Sequence, residues 1–226
     1  SILTLAEHLG APVLTTSKCK GVISEDHPLQ AGCIIGGLIE QDLVSKADLI
    51  ITIGLDPVEL QPKGWPYSTK VLSLANHPSL DGLVASSEEV IGNIDLLLMA
   101  IFGNIETGTG WGYASAKQFK TRVAKALDTP ASGLSPQRVV ECARQILPPE
   151  TIATCDAGAS RLLVVQKWES YKPREFLTSN GLGSMGYALP GALAARLVHP
   201  IKPVVAFTGD GGLLMAVADI QTSVHE

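Results

Sequence analysis

The sequence predicts an α/β protein made of two doubly wound parallel-sheet domains. Three observations predict it. Short apolar runs of strand character alternate with segments of helical periodicity, the pattern of a parallel sheet covered by helices. The alternation breaks once, between residues 103 and 133, and then restarts from a clean helix start. In the second half, three glycine-containing loops each follow a predicted strand, and doubly wound folds bind their ligands at that sheet edge. At 226 residues and 46% apolar composition, the chain has enough material for two packed cores.

The chain opens in a helical pattern, with Ile2, Leu5, Ala6 and Leu9 on one face and no strand before it. Strands are expected at 12–15, 49–53 and 71–74. A helix is expected at 37–46, where Leu38, Ile39, Leu43 and Val44 recur at helical spacing. A further helix at 90–102 would close the first domain. Residues 103–112 carry Gly103, Gly108, Gly110 and Gly112 and few large apolar side chains, which reads as a linker. A helix at 116–127 follows and is interrupted by Thr129, Pro130, Ser132 and Gly133. Ser135 can then cap a new helix whose first turn holds Pro136. The expected division is therefore a first domain at 1–103, a linker with a helix at 104–133, and a second domain at 134–226. Its strands would be 151–155, 176–178 and 204–208, with helices at 186–197 and 213–226. Both ends fall inside helical patterns and no initiator Met is present, so a longer protein is expected.

Charge and composition exclude several classes of function. The formal charge is -5 and no basic run could neutralise a phosphate backbone, which excludes a nucleic-acid partner. No stretch approaches the roughly 20 apolar residues of a membrane span, and residues 1–10 lack a signal-peptide layout, so no membrane partner is expected and the expected compartment is the cytoplasm. Cys19, Cys33, Cys142 and Cys155 lie far apart, which encodes neither a zinc knuckle nor a disulfide framework. Buried, reduced thiols are expected.

The three loops carry the chemistry. The sharpest is Thr208-Gly209-Asp210-Gly211-Gly212, which leads into a helix. Free amides at a helix start favour an anion, and glycines let a phosphate approach the backbone. Asp210 would repel a bare phosphate, so the combination makes best sense with a divalent cation between them; Mg²⁺ takes one or two carboxylates plus phosphate oxygens. A tight turn in which Asp210 caps the helix stays open as an alternative. The second loop, at 179–186, spells Gly181-x-Gly183-x-x-Gly186, a dinucleotide fingerprint. In a dinucleotide fold the acidic partner should end the next strand, whereas Asp210 opens a turn of its own. Met185 taken alone would be core filler. The third loop, Asp156-Ala157-Gly158-Ala159-Ser160, taken alone is a strand exit.

In this order, FLTSNGLGSMGYALPGA at 176–192 and VAFTGDGGLLM at 205–215 closely resemble the cofactor domain of thiamine-diphosphate enzymes related to acetolactate synthase, pyruvate oxidase and benzoylformate decarboxylase. LGAPVLTT at 9–16 and ADLIITIG at 47–54 are similar to the family's central, Rossmann-like domain, a weaker match. The resemblance implies a central domain lacking its first strand, followed by a truncated thiamine-diphosphate-binding domain. It implies that Asp210 is the first Mg²⁺ ligand and that Gly211 and Gly212 offer amides to the diphosphate. Gly158, Ala159 and Ser160 would hold the diphosphate's other side, with Ala159 replacing the polar side chain of acetolactate synthases. Ser184 joins the cofactor-binding set. The catalytic assignments are Met185, the apolar wedge that bends the cofactor, and the Gly183 carbonyl, which accepts from its aminopyrimidine. That bend makes proton removal intramolecular.

The resemblance also implies parts outside these residues: a Glu from an amino-terminal domain and an Asn that completes the metal shell beyond Glu226. The chain alone is expected to be inactive. The implied activity of the whole protein is a thiamine-diphosphate and Mg²⁺ dependent reaction that makes or breaks a C–C bond of a 2-oxo acid, in a homodimer or homotetramer. Some relatives bind FAD in the central domain, but Gly54-Leu55-Asp56-Pro57-Val58-Glu59 departs from their pattern, which disfavours flavin. Two other readings stay open: a dinucleotide-dependent oxidoreductase, and a catalytically inactive nucleotide-binding module.

Overall fold

The computed structural model describes residues 1–60, 65–78, 84, 86–128 and 133–225. The predicted interruption at 129–133 lies outside the described residues apart from Gly133. The fold is α/β, and among the described residues every paired strand is parallel. The chain divides into two compact units, Ser1–Thr16 with Pro28–Val123, and Ser17–His27 with Ala124–Glu226.

In the first unit, Ser1 caps helix α1 (Ile2–Leu9) by accepting from Thr4 N at 3.3 Å. Gly10 ends the helix in the left-handed conformation, φ 56°, where a side chain would be strained. Strand β1 (Val13–Thr15) pairs with β2 (Gln30–Cys33), and β3 (Leu49–Ile53), β4 (Lys70–Ala75) and β5 (Glu88–Ile91) form a three-stranded sheet in that order. Among the described residues Leu5, Leu74 and Leu98 centre one core cluster, and Ala31, Leu43, Ala116 and Phe119 centre another.

Two expectations need correction here. The helix predicted at 37–46 shrinks to α2 (Gln41–Val44), because Gly36 takes φ 77° and the Glu40 carboxylate folds back to accept from Ile35 N at 2.9 Å. Leu38 is left exposed, so its helical spacing marks no buried face. Residues 88–91, half inside the predicted 90–102 helix, form an exposed edge strand; Asn93 then caps α3 (Ile94–Phe102) by accepting from Leu96 N at 3.2 Å. Residues 103–112 are mostly exposed, but two of their glycines lie against the end of α1. Gly108 N donates to His8 O at 3.1 Å and Gly112 N to Gly10 O at 2.9 Å, and a Cβ on Gly108 would overlap Leu9 O. The glycines there permit close backbone approach to the end of α1. Helix α4 (Gly112–Leu127) contributes Ala116 and Phe119 to the first unit's core.

In the second unit, Ser135 caps α5 (Pro136–Ile146) by accepting from Arg138 N at 3.2 Å, with Pro136 in the first turn. The sheet runs β7 (Phe176–Thr178), β6 (Ile152–Cys155), β8 (Val204–Phe207). Helix α6 (Ala159–Lys167), not anticipated, connects β6 to β7, and α7 (Ala188–Val198) connects β7 to β8. The chain thus leaves β6 in one direction and returns past it in the other, which places a topological switch point between β6 and β8. The single helix expected at 213–226 starts earlier and is broken, as α8 (Asp210–Ala216) and α9 (Asp219–His225).

Candidate cofactor site

Strand register decides where the loops go. Cys155 pairs with Thr178 on one side and with Phe207 on the other, so β6, β7 and β8 end at one level. The three loops that follow therefore open at the same sheet edge. All four residues of β6 are buried, and the next residue, Asp156, is 1% exposed.

Asp156 ties the loops together. Its Oδ1 accepts from Tyr187 N at 2.6 Å and Ala188 N at 2.9 Å, at the start of α7. Its Oδ2 accepts from the Thr208 hydroxyl at 2.5 Å, at the end of β8. Gly212 packs so closely on this carboxylate that a Cβ there would overlap Asp156 Oδ2. One buried side chain thus draws the loops that follow β7 and β8 onto its own, the loop that follows β6. Sequence reading missed Asp156 and Thr208; the available signal was a carboxylate ending an apolar strand, where a charge must find donors.

The predicted residues come together around this tie. Gly158 precedes α6 with φ 130° and ψ -177°, a conformation suited to glycine, and Ala159 and Ser160 form the exposed first turn. Nothing lies within 4 Å of a Cβ built on Gly158 or Gly209, so both glycines face open space. Met185, half exposed, reaches across to α8, its Cε only 3.1 Å from a Cβ built on Gly211. Gly183, at φ 61°, approaches Ala157, and Ser184 N donates to Ser179 Oγ at 3.0 Å. Asp210 is exposed in the first turn of α8, its Oδ1 accepting from Gly211 N at 2.8 Å. The geometry fits a diphosphate on the Gly158 and Gly209–Gly212 sides and an apolar ring against Met185. Among the described residues no group of three or more His, Cys, Asp or Glu comes together to hold a metal. A cation beside Asp210 would thus draw its other ligands from elsewhere, as phosphate oxygens can supply.

The dinucleotide fingerprint does not work as one. A pyrophosphate would need the amides opening α7, and Asp156 Oδ1 already holds those of Tyr187 and Ala188. The cysteines stand outside the chemistry too. None of the four is in a disulfide; Cys33 and Cys155 are buried, whereas Cys19 and Cys142 are partly exposed, against the expectation of burial throughout. Burial pushes the Cys155 thiol up to about 12, so it stays protonated and unreactive.

Fold and site define a doubly wound ligand-binding unit with a glycine cradle at its switch point, preceded by a second parallel-sheet unit. Residues 1–101 match the central domain of thiamine pyrophosphate enzymes, and residues 156–226 match their C-terminal thiamine pyrophosphate-binding domain. The chain belongs to this thiamine-diphosphate-dependent family, on the acetolactate synthase side. It is 29% identical to a probable acetolactate synthase large subunit of Methanocaldococcus jannaschii, over 98% of this chain and 40% of that protein. It is 28% identical to an acetolactate synthase of Bacillus subtilis, over 100% and 42%. A catabolic acetolactate synthase of Raoultella terrigena shares 31% identity over 81% and 34%. The chain spans about two fifths of the length of the first two of these relatives.

Proposed function

We propose that the second unit binds thiamine diphosphate with Mg²⁺, and that the whole protein uses it to make or break a C–C bond of a 2-oxo acid, as its acetolactate synthase relatives suggest. The observation that carries this reading is the cradle tied by Asp156, with open glycines at 158 and 209 and Met185 laid over Gly211. Gly158, Ala159, Ser160, Gly211 and Gly212 would hold the diphosphate, and Asp210 would supply a carboxylate to the cation. Gly183, Ser184 and Met185 would receive the aminopyrimidine end. When bound, the cofactor supplies the carbon acid and electron sink that amino-acid side chains lack. The chain's own residues orient it, shield it on one side with the Met185 thioether, and keep the cradle shaped through Asp156.

In this reading the first unit is the central domain and takes no flavin, since Glu40 already occupies the Ile35 amide of its glycine loop. The exposed apolar side chains of Leu182, Leu214 and Val224 favour a homodimer or homotetramer. A cytoplasmic setting belongs to the same reading; among the described residues no helix is long and apolar enough to cross a membrane.

The test is titration calorimetry on the full-length protein. Thiamine diphosphate binding that requires Mg²⁺, followed by turnover of a 2-oxo acid such as pyruvate, is the expected result. NADH binding indifferent to Mg²⁺ would overturn it in favour of an oxidoreductase. Cofactor binding without turnover of any 2-oxo acid would leave a binding module.

A further inference from the structure

The loop between β7 and α7 poses a positioning problem that its own sequence does not solve. Gly181, Gly183 and Gly186 all adopt positive φ, at 79°, 61° and 74°. Such a loop is costly to hold in one conformation, yet it must present Gly183 and Met185 at fixed places. Asp156 fixes its exit through the Tyr187 and Ala188 amides. Its entrance is held by a different set of side chains. Arg161, in the first turn of α6, donates from Nη1 to Ser179 O at 3.3 Å and from Nη2 to Asn180 Oδ1 at 2.9 Å. Asn180 Nδ2 in turn donates to the Ser17 hydroxyl at 3.2 Å. Ser17 is buried, in the 17–27 segment that packs with the second unit although it lies between β1 and β2 in sequence.

We propose that Arg161 and Asn180 form a clamp that positions the β7–α7 loop for the aminopyrimidine end of the cofactor. This inference rests on the thiamine-diphosphate reading. The guanidinium is a rigid planar fork, so donating to two successive residues fixes the orientation of the peptide between them as well as its place. The effect passes inward through Ser179, whose hydroxyl accepts from Ser184 N between Gly183 and Met185. Arg161 and Asn180 are positioning residues, acting through the loop. They leave the diphosphate side of the cradle, at Gly158 and Gly209–Gly212, to its own backbone.

That division gives a readout that a general loss of structure would not move. In the full-length protein with Mg²⁺, Arg161→Ala should weaken thiamine diphosphate binding about tenfold, the scale of lost charge-assisted hydrogen bonds. Inorganic diphosphate, competing for the other half of the site, should keep its affinity. Arg161→Lys should recover little, because an ammonium offers no fork. Asn180→Ala should follow Arg161→Ala, and the double variant should be no worse than Arg161→Ala, since the two act as one unit. Unchanged thiamine diphosphate affinity in Arg161→Ala, or an equal loss for inorganic diphosphate, overturns the clamp. Should Arg161→Ala fail to fold, Asn180→Ala decides by the same comparison. A wild type that binds inorganic diphosphate but no thiamine diphosphate overturns the functional reading itself, and the clamp with it.

Discussion

Each unit of this chain buries a carboxylate beside the loop that follows one of its parallel strands, and the two carboxylates are used in opposite ways. Asp156, after β6, gives its oxygens to partners 31, 32 and 52 residues away, in the two neighbouring loops. Glu40, after β2, turns back five residues to accept from Ile35 N in its own loop. Gly37 lies under the same side chain, a Cβ there falling 3.3 Å from Glu40 Oε2. A buried carboxylate must find donors. When it finds them in other loops it gathers those loops and leaves its own glycines facing outward. When it finds them in its own loop, it occupies the place an anion would take. The same physical demand thus shapes a cradle in one unit and closes a loop in the other.

The largest expected effect comes from breaking the outward-reaching carboxylate. Asp156→Ala strands the amides of Tyr187 and Ala188 and removes the nearer acceptor of the Thr208 hydroxyl, three bonds around one buried position. A destabilisation of about 3 kcal/mol or more is expected, with loss of detectable thiamine diphosphate binding. Thermal melting and calorimetry on the same sample check both. Retention of binding would show that the loops hold their places without the tie.

Next is Asp210→Ala. This side chain is exposed and accepts from the adjacent Gly211 amide, so melting should barely change. Thiamine diphosphate affinity in Mg²⁺ should nevertheless fall on the order of a hundredfold, and the Mg²⁺ dependence should vanish. Equal affinities with and without Mg²⁺ in the wild type would remove the metal from the site.

These two aspartates also mark what was legible in the sequence. Asp210 stands among glycines at a strand-to-helix turn, a local pattern that carries its own chemistry. The three strands of the second unit were legible for the same reason: β7 spans Phe176–Thr178 as expected, and β6 and β8 differ from expectation at one end only. Asp156 was not legible, because its role lies in partners brought close only by the sheet register. Arg161 and Asn180 were missed on the same ground. In the first unit, the helix expected at 90–102 overlaps the last two residues of β5, because Glu88–Ile91 is an exposed edge strand with no alternation to betray it. The glycines at 108 and 112 read as looseness because the backbone they approach, at the end of α1, is about a hundred residues away in sequence.

A smaller effect separates the units. In Gly112→Ala the new methyl would meet Gly10 O and Pro12, both backbone or ring atoms that cannot swing aside. Overpacking of this kind costs about 2 kcal/mol. The loss should appear in the melting of the first unit, with thiamine diphosphate affinity in the second unchanged. A parallel loss of affinity would show that the cradle depends on the first unit's packing.

The smallest effect tests the inward-turned carboxylate by its pH dependence. Burial raises the Glu40 pKa above its usual 4.5, although hydrogen bonds from the backbone at Ile35, Glu40 and Gly37 oppose the shift. A folded-state pKa above the unfolded one means the native chain holds its proton more tightly. The stabilisation from that proton is complete below the unfolded pKa and is lost as pH rises through the folded value. Glu40→Gln keeps an oxygen for Ile35 N and removes the buried charge. The variant should therefore melt higher than the wild type at neutral pH, and the difference should close as pH falls below about 4.5. Tyr67 does not interfere, since burial and the Glu40 charge both push its hydroxyl upward, keeping it protonated across this range. A variant that melts lower at neutral pH would reverse the argument. The charge would then be stabilised by the loop, and Glu40 would resemble Asp156 in strength as well as in burial.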